Sequence, residues 1–424
     1  MSKKIVIVGG GFGGVRAALD LSKKFPKGLP AEQADTKIIL ISDKQHFEYY
    51  PALYKVASGL SPLEVCIPLA EIFKNKNVEV IKDRVMNADF SKKTLEGESG
   101  SNYGFDILIL ALGSETAYFN IEGLKELAFS FKSINEALKL KRHLHELFQS
   151  HLLATKEEAV SNLHILIVGG GATGVELSGA LSYYLQKIAK IHKVDPSLIT
   201  VDLIEAAGRV VPNMPEDVSK RIMGELRRCG VNVFLNRAVM KEDIEQVFLK
   251  DMTLKTKTVI WTAGAKTNAI YSRIGGLELD KKGRVIVDEY LRPKTSLGVE
   301  GGLDMKDIFV IGDAAATPYA GLAQTAIFDG SYVAQNIFNS LSGRTMAPYQ
   351  SKKISYIIPI GPHFAAAGVY GFKFYGRFAW WLRNLVDLKF FLSILPFHKA
   401  LDIFQGGKKI CESCDVCLHE TEED

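Results

Sequence analysis

The chain has 424 residues, of which 47% are hydrophobic and 24% charged, so it is long enough for one to three domains with buried cores. Its net charge of +4 is too small to indicate nucleic-acid binding, and its mean hydropathy of +0.06 is well short of a polytopic membrane protein. No cleavable signal peptide and no spanning helix are predicted. The five cysteines are therefore expected to be reduced thiols.

The N-terminal segment follows a strand, glycine turn, helix, strand pattern. Ile5–Val8 is a short apolar run typical of a buried parallel strand, and it leads into the turn GGGFGG. A helical pattern follows at Val15–Ser22, and the next strand is predicted at Lys37–Ser42. Between them, Pro26–Asp35 is polar and predicts a surface insertion. This order is typical of a Rossmann-like unit.

The first glycine turn has the composition of a dinucleotide-binding loop. Gly9 permits the tight turn, Gly11 lets the backbone approach a pyrophosphate, and Gly14 lets the helix pack on the strand, with Gly13 between them. The pyrophosphate then lies at the positive end of the helix. Asp43 follows the next strand and is expected to bind ribose hydroxyls. An ordinary glycine-rich turn is the alternative.

The same pattern occurs a second time, about 160 residues further along the chain. His164–Val168 is a predicted strand, Val175–Ala189 a predicted helix and Thr200–Glu205 the next strand. The turn between the first two is GGGATG. This internal repeat predicts two doubly wound domains, each with its own nucleotide.

In the second loop, Gly169, Gly171 and Gly174 take the three glycine roles, and Glu205 ends the following strand. An acid at that position repels the 2′-phosphate of NADP, so the sequence favours NADH over NADPH. Arg209 could in principle receive that phosphate, but we interpret it as a solvated surface charge.

A third element indicates which loop binds FAD. Ile308–Gly312 is a buried strand pattern followed directly by Asp313, and a carboxylate there can hydrogen-bond a ribityl hydroxyl of FAD. Isolated Gly-Asp pairs are usually turns, but the strand before this pair and the helix after it favour the functional interpretation. We therefore expect FAD at the first loop. Two further strands, ending in Gly113 and Gly264, suit crossings between the nucleotide domains.

The predicted fold class is α/β, with two Rossmann-like dinucleotide-binding domains, one for FAD and one for NAD, and a C-terminal helical membrane-associating segment. The predicted boundaries are 1–120 with 285–350 for the FAD domain, 155–280 for the NAD domain, 351–410 for the C-terminal membrane-associating and dimerisation region, and 411–424 for an acidic tail.

Together these motifs resemble the type II NADH:quinone oxidoreductases, a family of flavoproteins with two dinucleotide-binding domains. The similarity runs to about Gly407. It is most specific in the segments IVIVGGGFGG, YYPALYKVASGLSP, ILIVGGGATGVELSGAL, LIEAAGRVVP, VIWTAG, FVIGDAA and AQTAIFDG.

The resemblance implies roles for particular residues. Tyr50 and Pro51 are expected near the flavin, and Glu176 where nicotinamide and flavin meet, as a residue that links nicotinamide binding to proton movement. Asp313 is expected to hold FAD. The segment from Ala323 is expected to line the quinone side, with Gln324 positioning the quinone.

One position departs from the family pattern. The family usually has A-Q-x-A-x-Q at the quinone segment, and here the second Gln is replaced by Phe328. An apolar ring stands where a hydrogen-bonding amide is usual, so this departure concerns the quinone and its use, and leaves FAD and NADH unaffected. Disulfide reductases of this architecture need a cysteine pair beside the flavin, but no cysteine precedes Cys66, and none lies between Cys66 and Cys229. Electron transfer without a thiol relay is expected.

The C-terminal segment Gly376–Leu395 has an apolar stripe at helical spacing, which comprises Phe378, Trp381, Leu382, Leu385, Leu388 and Leu392. We predict an in-plane membrane helix, with Arg377, Arg383 and Lys389 meeting anionic headgroups. A dimer interface or a core helix is the alternative. A second short helix is predicted at Phe397–Phe404.

The tail residues Cys411, Cys414 and Cys417 have a spacing that could ligate a metal, but we predict no metal, because a fourth cysteine is missing and the setting is acidic.

The predicted function is transfer of a hydride from NADH to FAD and of two electrons to a membrane quinone of unspecified type, without ion pumping. The expected partners are NADH, a quinone, the membrane surface and a second copy of the chain, and nucleic acid is not expected. The predicted location is peripheral, on the cytoplasmic face of the membrane. Two alternatives remain open: a soluble flavin NADH oxidase or reductase that uses oxygen or a small carrier, and an NADH-responsive redox sensor.

Overall fold

The structure, a computed structural model, describes residues 3–26, 36–151, 156–295 and 305–410. Nearly all of the predicted insertion at Pro26–Asp35 lies outside the described residues, as does the acidic cysteine tail. Within the described ranges, no helix is both long enough and apolar enough to cross a membrane.

The helices are α1 (Phe12–Lys24), α2 (Leu53–Ala57), α3 (Leu69–Ile72), α4 (Leu124–Leu127), α5 (Ile134–Ser150), α6 (Lys156–Asn162), α7 (Ala172–Ile191), α8 (Glu216–Arg228), α9 (Ile270–Arg273), α10 (Ala323–Leu341), α11 (Arg377–Ile394) and α12 (Phe397–Gly406). The strands are β1 (Lys3–Val8), β2 (Thr36–Ser42), β3 (His46–Glu48), β4 (Cys66–Pro68), β5 (Glu79–Lys82), β6 (Val85–Asp89), β7 (Thr94–Gly97), β8 (Asn102–Gly104), β9 (Ile107–Leu110), β10 (Ser114–Thr116), β11 (Phe129–Ser130), β12 (His164–Val168), β13 (Thr200–Ile204), β14 (Val231–Phe234), β15 (Val239–Asp243), β16 (Gln246–Leu249), β17 (Thr253–Lys255), β18 (Thr258–Trp261), β19 (Ala265–Thr267), β20 (Ile308–Val310), β21 (Tyr356–Ile360), β22 (Phe364–Val369) and β23 (Phe372–Gly376).

The chain forms two compact units. The first comprises Met1–Glu48, Ile67–Glu115 and Ala265–Ile354, and the second comprises Tyr49–Cys66, Thr116–Gly264 and Ser355–Asp424. Each unit contains one of the two glycine loops. The short segment with α2 and the C-terminal helices both belong to the unit with the second loop.

The first unit is built on a five-stranded parallel sheet in the order β20-β9-β1-β2-β5. Its central strands are continuous apolar runs because both faces are covered, as in Ile5–Val8, where every residue is buried. Helix α1 packs along α10. The close approach requires Gly330, since a Cβ there would lie 2.5 Å from the carbonyl oxygen of Gly13.

The second unit repeats this arrangement with the strand order β11-β18-β12-β13-β14, again all parallel. The central strand β12 and the helix α7 after it take the places that β1 and α1 have in the first unit. The predicted strands and helices of both repeats therefore exist, and the mixed α/β dinucleotide-binding fold is confirmed.

A three-stranded antiparallel sheet, β21-β22-β23, follows where the βαβ pattern ends. Helix α7 packs on β21, and α11 packs on β22. A Cβ on Gly179 of α7 would lie 2.7 Å from the side chain of Ile360, so glycine allows this contact. The C-terminal sheet and helices are thereby fixed to the helix that follows the second glycine loop.

Candidate nucleotide sites and a buried charge network

The first glycine loop connects β1 to α1, as predicted. Gly9 has φ +112, and a Cβ there would lie 2.4 Å from the carbonyl oxygen of Ala111. A Cβ on Gly14 would lie 1.9 Å from the oxygen of Gly9. The fold itself therefore requires both glycines. At Gly11, by contrast, a Cβ would meet no atom of the described residues within 4 Å.

The open space at Gly11 fits the role of a ligand-facing glycine. The protein's own packing does not exclude a side chain there, but a pyrophosphate held against the loop would. Gly13 is buried, and its Cβ would lie 3.0 Å from Ile311. Asp43 follows β2 with its side chain 47% exposed, and its carboxylate lies 3.8 Å from Arg84. This loop can hold a dinucleotide.

The predicted Gly-Asp strand end is also in this unit. Strand β20 ends at Val310, and a short 3-10 turn, Gly312–Ala314, presents Asp313. The Ser114 hydroxyl donates a hydrogen bond of 2.5 Å to the Asp313 carboxylate. Gly113, one residue before that serine, has φ +65 and open space around it. The ends of neighbouring strands β9 and β20 thus bring Gly113, Ser114 and Asp313 together.

The second glycine loop repeats the pattern found in the first. Gly169 has φ +113, and a Cβ there would lie 2.8 Å from the amide of Ala263. A Cβ on Gly174 would lie 1.9 Å from the oxygen of Gly169, whereas one on Gly171 would meet no described atom within 4 Å. Once more the outer glycines serve the fold, and the middle one leaves room for a ligand. A second dinucleotide fits here.

Glu205 lies directly after β13 and faces this loop. Its carboxylate accepts hydrogen bonds from the amides of Gly170 at 2.6 Å and Ala207 at 2.7 Å. The acid is therefore held at the edge of the loop, where the ribose of a nucleotide would lie. Gly264 ends the segment after β18 with φ +75, and a Cβ there would lie 2.5 Å from the ring of Phe119.

Arg209 is partly exposed, as predicted for a surface charge, but it also makes hydrogen bonds within its own loop. Its guanidinium donates to the carbonyl oxygen of Met214 at 2.7 Å and to that of Pro212 at 2.5 Å. Since these carbonyls belong to the loop between β13 and α8, Arg209 holds that loop together. Beside it is a cavity of about 380 Å³, which is lined by Gly208, Arg209, Glu216, Ser219, Lys220 and Met223.

Glu176 lies in the first turns of α7, two residues after the last glycine of the second loop. Burial raises its pKa to about 8; the positive charges of Arg383 and Lys55 oppose this rise, and the negative charge of Asp387 adds to it. The carboxyl group therefore keeps its proton near neutral pH. A protonated carboxyl can donate a proton, which an ordinary exposed glutamate cannot do at this pH.

The charges around Glu176 form a buried network in the same unit. On α11, Arg383 is 9% exposed and Asp387 is fully buried, and Arg383 Nε lies 3.0 Å from an Asp387 carboxylate oxygen. The Tyr49 hydroxyl donates to Asp387 at 2.6 Å. Lys55 Nζ lies 3.6 Å from Asp387 and 2.5 Å from Glu64. Removing several charges from water costs desolvation free energy that their mutual attraction often only balances. A contribution to stability therefore does not by itself explain why this cluster is buried.

The Tyr50-Pro51 segment joins this network through its backbone. The Arg383 guanidinium donates to the carbonyl oxygen of Pro51 at 2.6 Å, and Tyr50 is 42% exposed. The prediction that Arg383 meets lipid headgroups is wrong, since its guanidinium points into the protein. The roles of Lys55, Glu64 and Asp387 were not predicted from the sequence. A charged pair with helical i,i+4 spacing, Arg383 and Asp387, was the only available signal.

The predicted quinone segment begins α10. Gln324 is exposed, and Phe328 lies one turn further on the same helix face. The Phe328 ring packs against Tyr349, with 5.7 Å between ring centroids, and Lys352 Nζ lies 4.4 Å from its centroid. Ala323 is the first residue of the helix. The aromatic ring of Tyr349 and the ammonium group of Lys352 therefore lie beside Phe328, the position at which the family usually has an amide.

The described cysteines provide no redox pair. Cys66 and Cys229 are free thiols, and both are partly buried. In the part of the chain that the structure describes, no group of three or more His, Cys, Asp or Glu residues could hold a metal ion. The cysteine tail lies outside the described residues.

Comparison with known proteins defines the class. The model of the pyridine nucleotide-disulphide oxidoreductase family matches residues 3–330, so the chain belongs to that family. A type II NADH:quinone oxidoreductase of Staphylococcus haemolyticus is 28% identical over 94% of this chain and 98% of its own length. The enzyme of the same name from Staphylococcus aureus is 27% identical, with the same coverage of both chains.

A solved structure agrees on the fold. The structure of Plasmodium falciparum NDH2 in complex with NADH has a TM-score of 0.83 at 20% identity, and the match covers 97% of this chain and 100% of the other. The similarity of fold therefore extends over nearly the whole chain, including the C-terminal sheet and helices.

Proposed function

We propose that the protein is a type II NADH:quinone oxidoreductase, a flavoprotein that oxidises NADH and reduces a membrane quinone without pumping ions. One observation carries the proposal. The chain has two glycine loops of identical design, each with a middle glycine that faces open space, and the second loop leads directly to the proton-holding Glu176. The curated relatives of this name align over 94% of the chain.

Different residues bind FAD, bind NADH and supply a proton. FAD, held by the first loop and by Asp313, supplies the chemistry that accepts a hydride and passes on two electrons. The second loop and Glu205 hold NADH. Reduction of a quinone to a quinol needs two protons, and a hydride carries only one hydrogen, so one proton comes from the solvent. The Glu176 carboxyl group holds a proton at neutral pH and is our candidate for the residue that delivers it.

The nucleotide is NADH rather than NADPH. Glu205 places a negative charge at the ribose edge of the loop. Two nearby cations are already engaged, since Arg209 binds two carbonyls and Lys220 lies 2.7 Å from Glu216. A 2′-phosphate would meet repulsion there, and these cations would have to leave their partners to compensate for it.

The proposed membrane surface is the outward face of α11 and α12. Its exposed apolar residues are Phe378, Trp381, Leu385, Val386, Leu392 and Phe397, each between 40% and 69% exposed. The charged Arg383 and Asp387 lie on the inward face together with the apolar Ala379, Phe391 and Ile394, so the helix buries two charges while it leaves large apolar side chains exposed. An ordinary surface helix buries its apolar residues and exposes its charges. Such a face supports peripheral binding to a bilayer, which we place on the cytoplasmic side.

We also propose a homodimer. The supporting observation is that three apolar residues on and after α7, Tyr183, Ile191 and Leu198, are each between 48% and 54% exposed. A measurement of molar mass in a mild detergent tests this proposal, and a monomer at micromolar concentration would contradict it.

The remaining candidate function is a soluble NADH oxidase or reductase, and Phe328 is the observation that favours it. Steady-state NADH oxidation with naphthoquinone, benzoquinone and oxygen as sole acceptors separates the candidates. We expect turnover with a quinone to exceed turnover with oxygen by at least about tenfold. Comparable rates with oxygen would establish the soluble oxidase instead, and turnover that is negligible with every acceptor would indicate a redox sensor.

A further inference from the structure

A fully buried carboxylate, Asp329, lies in the second turn of α10, next to Phe328. It directly follows the segment that corresponds to the family's quinone motif, and that motif does not require an acidic residue at this position. Burying an ionised carboxylate costs several kcal/mol unless hydrogen bonds compensate for the lost hydration. The partners of Asp329 therefore indicate why the residue is there.

Both carboxylate oxygens of Asp329 are occupied. One accepts a hydrogen bond of 3.0 Å from the backbone amide of Gly312, and the other accepts one of 2.7 Å from the hydroxyl of Tyr349. These partners come from separate parts of the first unit. The carboxylate thus joins α10, the turn after β20 and the segment that follows α10.

The amide of Gly312 is the first donor of the turn that presents Asp313. Gly312 has φ +73, a left-handed conformation in which the chain leaves the strand direction. The backbone amide of Ile311 is the last one that continues the hydrogen bonding between β20 and β9, and it donates to the carbonyl oxygen of Leu110. Without Asp329 the next amide would be buried and unpaired, at a cost that favours another conformation of the turn.

Burial raises the pKa of Asp329 to about 6, while the hydrogen bonds from Tyr349 and Gly312 oppose the rise and the charge of Asp313 adds to it. At neutral pH the carboxylate is therefore mostly ionised. The ionised carboxylate can accept a hydrogen bond at each oxygen. In the protonated form one oxygen carries a hydrogen, which interferes with acceptance at that oxygen.

We propose that Asp329 is a positioning residue for the cofactor: through the amide of Gly312 it fixes the turn that directs Asp313 toward FAD, and Tyr349 holds Asp329 in place. The inference rests on the proposed binding of FAD by Asp313. It assigns no contact between Asp329 and the flavin. The bond to Gly312 determines how firmly the turn is held, and the bond to Tyr349 determines the orientation of the carboxylate.

The test measures FAD dissociation from the purified holoenzyme by the increase in flavin fluorescence, together with the free energy of unfolding in urea. Asp329→Ala removes both hydrogen bonds, and we expect it to increase FAD dissociation by about tenfold or more. Tyr349→Phe removes only the hydrogen bond from Tyr349 to Asp329, and we expect it to increase FAD dissociation by about threefold. Asp329→Asn keeps an oxygen that can accept from Gly312, so it should retain most of the wild-type affinity.

Val333→Ala is the matched control. Val333 lies one turn further on the same buried helix face and is fully buried, but its apolar side chain cannot hydrogen-bond to the turn. The substitution should lower stability through a cavity while changing FAD dissociation by less than about twofold. Equal FAD loss in Asp329→Ala and Val333→Ala would overturn the proposal, as would Asp329→Asn behaving like Asp329→Ala.

A further variant separates this inference from the function on which it rests. If Asp313→Ala keeps its full FAD content, the assignment of Asp313 to FAD is wrong. If Asp313→Ala loses FAD while Asp329→Ala keeps it, only the positioning role is wrong. Should Asp329→Ala fail to fold, Tyr349→Phe decides the question, and an unchanged rate of FAD dissociation in that variant contradicts the proposal.

Discussion

Arg383 and Asp387 form an ion pair, with 3.0 Å between Nε and a carboxylate oxygen, on the inward face of α11. Both residues are at least nine-tenths buried, and the outward face of the same helix exposes aromatic and aliphatic side chains. Helix α11 therefore packs on its unit through a buried ion pair as well as through apolar residues, and it exposes large apolar side chains on its other side. This arrangement has consequences for stability, for membrane binding and for the environment of Glu176.

Removal of one member of the ion pair should lower the free energy of unfolding more than replacement of both. Asp387→Ala leaves a buried guanidinium without its partner and is expected to lower the free energy of unfolding by about 3 kcal/mol or more, measured in urea. The double variant Arg383→Met, Asp387→Leu replaces both charges by apolar groups and should lose less than Asp387→Ala alone. Asp402→Asn, an exposed acid on α12, is the control and should have little effect. A double variant less stable than the single one would contradict this account.

A buried carboxyl in the second unit predicts how stability varies with pH. Glu242 is 5% exposed, one of its carboxyl oxygens has no hydrogen-bond partner among the described residues, and burial raises its pKa to about 8. Its contribution to stability is fully present below the pKa of the unfolded state and is lost as pH rises through the pKa of the folded state. The free energy of unfolding should therefore fall by up to about 1.4 kcal/mol per pH unit between about pH 5 and 8.

Glu242→Gln should reduce that slope, because an amide does not titrate. Urea unfolding at pH 6, 7 and 8 measures it. Glu245→Gln is the matched control on the same hairpin, since Glu245 is half exposed and paired with Lys257 at 3.3 Å. If the Glu242→Gln variant shows the wild-type slope, other groups are responsible for the pH dependence.

Nucleotide choice should depend on the charge of Glu205. The carboxylate repels a 2′-phosphate while its oxygens hold the amides of Gly170 and Ala207. Glu205→Gln removes the charge and keeps one acceptor, so the ratio of kcat/KM for NADH over NADPH should fall by about tenfold. Asp243→Asn removes a surface charge from the same unit and should leave the ratio unchanged. A wild-type preference for NADPH would refute the assignment outright.

Membrane binding should depend on the exposed rings of α11. Phe378 and Trp381 are 55% and 53% exposed, so replacing both by Ser is expected to weaken binding to anionic liposomes by about tenfold or more. Ile244→Ser, at a side chain 77% exposed on the β15–β16 hairpin, is the control. Binding should weaken as salt rises, through the exposed Arg377 and Lys389. Wild-type protein that ignores such liposomes at low salt would identify the face as a protein interface.

The acceptor site should respond to Phe328. Phe328→Gln restores the family's amide and removes the ring beneath Lys352, so KM for quinone should change by about threefold or more while KM for NADH stays constant. Phe338→Gln is a close control, because Phe338 lies later on α10 and also has a lysine, Lys24, over its ring at 5.0 Å. Equal effects of the two substitutions on quinone kinetics would remove Phe328 from the acceptor site.

Features that depend on neighbouring residues were predictable from the sequence. The strands β1 and β12, the loops after them and the helices α1 and α7 follow from apolar runs, glycine spacing and helical periodicity, and α11 was predicted to within a residue at each end. These patterns are local, since a strand buried on both faces must be apolar whatever surrounds it.

Features that depend on distant partners were not predictable. Tyr49 and Asp387 are hydrogen-bonded across 338 positions in the sequence, and neither residue has a local pattern that indicates a buried acceptor. The sheet β21-β22-β23 was missed because its strands are only five or six residues long and the helical pattern that follows them decided the prediction for residues 351–410. The inward direction of Arg383 was missed for a related reason: an arginine on an apolar helix is ordinarily solvated.

The two kinds of glycine in each nucleotide loop imply two kinds of defective variant. Substitution at Gly9 or Gly14 would collide with the protein's own backbone, so the product would misfold and be degraded. Gly11 has an ordinary negative φ and open space, so we expect the fold to accommodate an alanine there and the proposed binding of FAD to be what is lost. A cell carrying such an allele would contain folded protein that lacks its cofactor, and measuring the amount of protein alone would not reveal that defect.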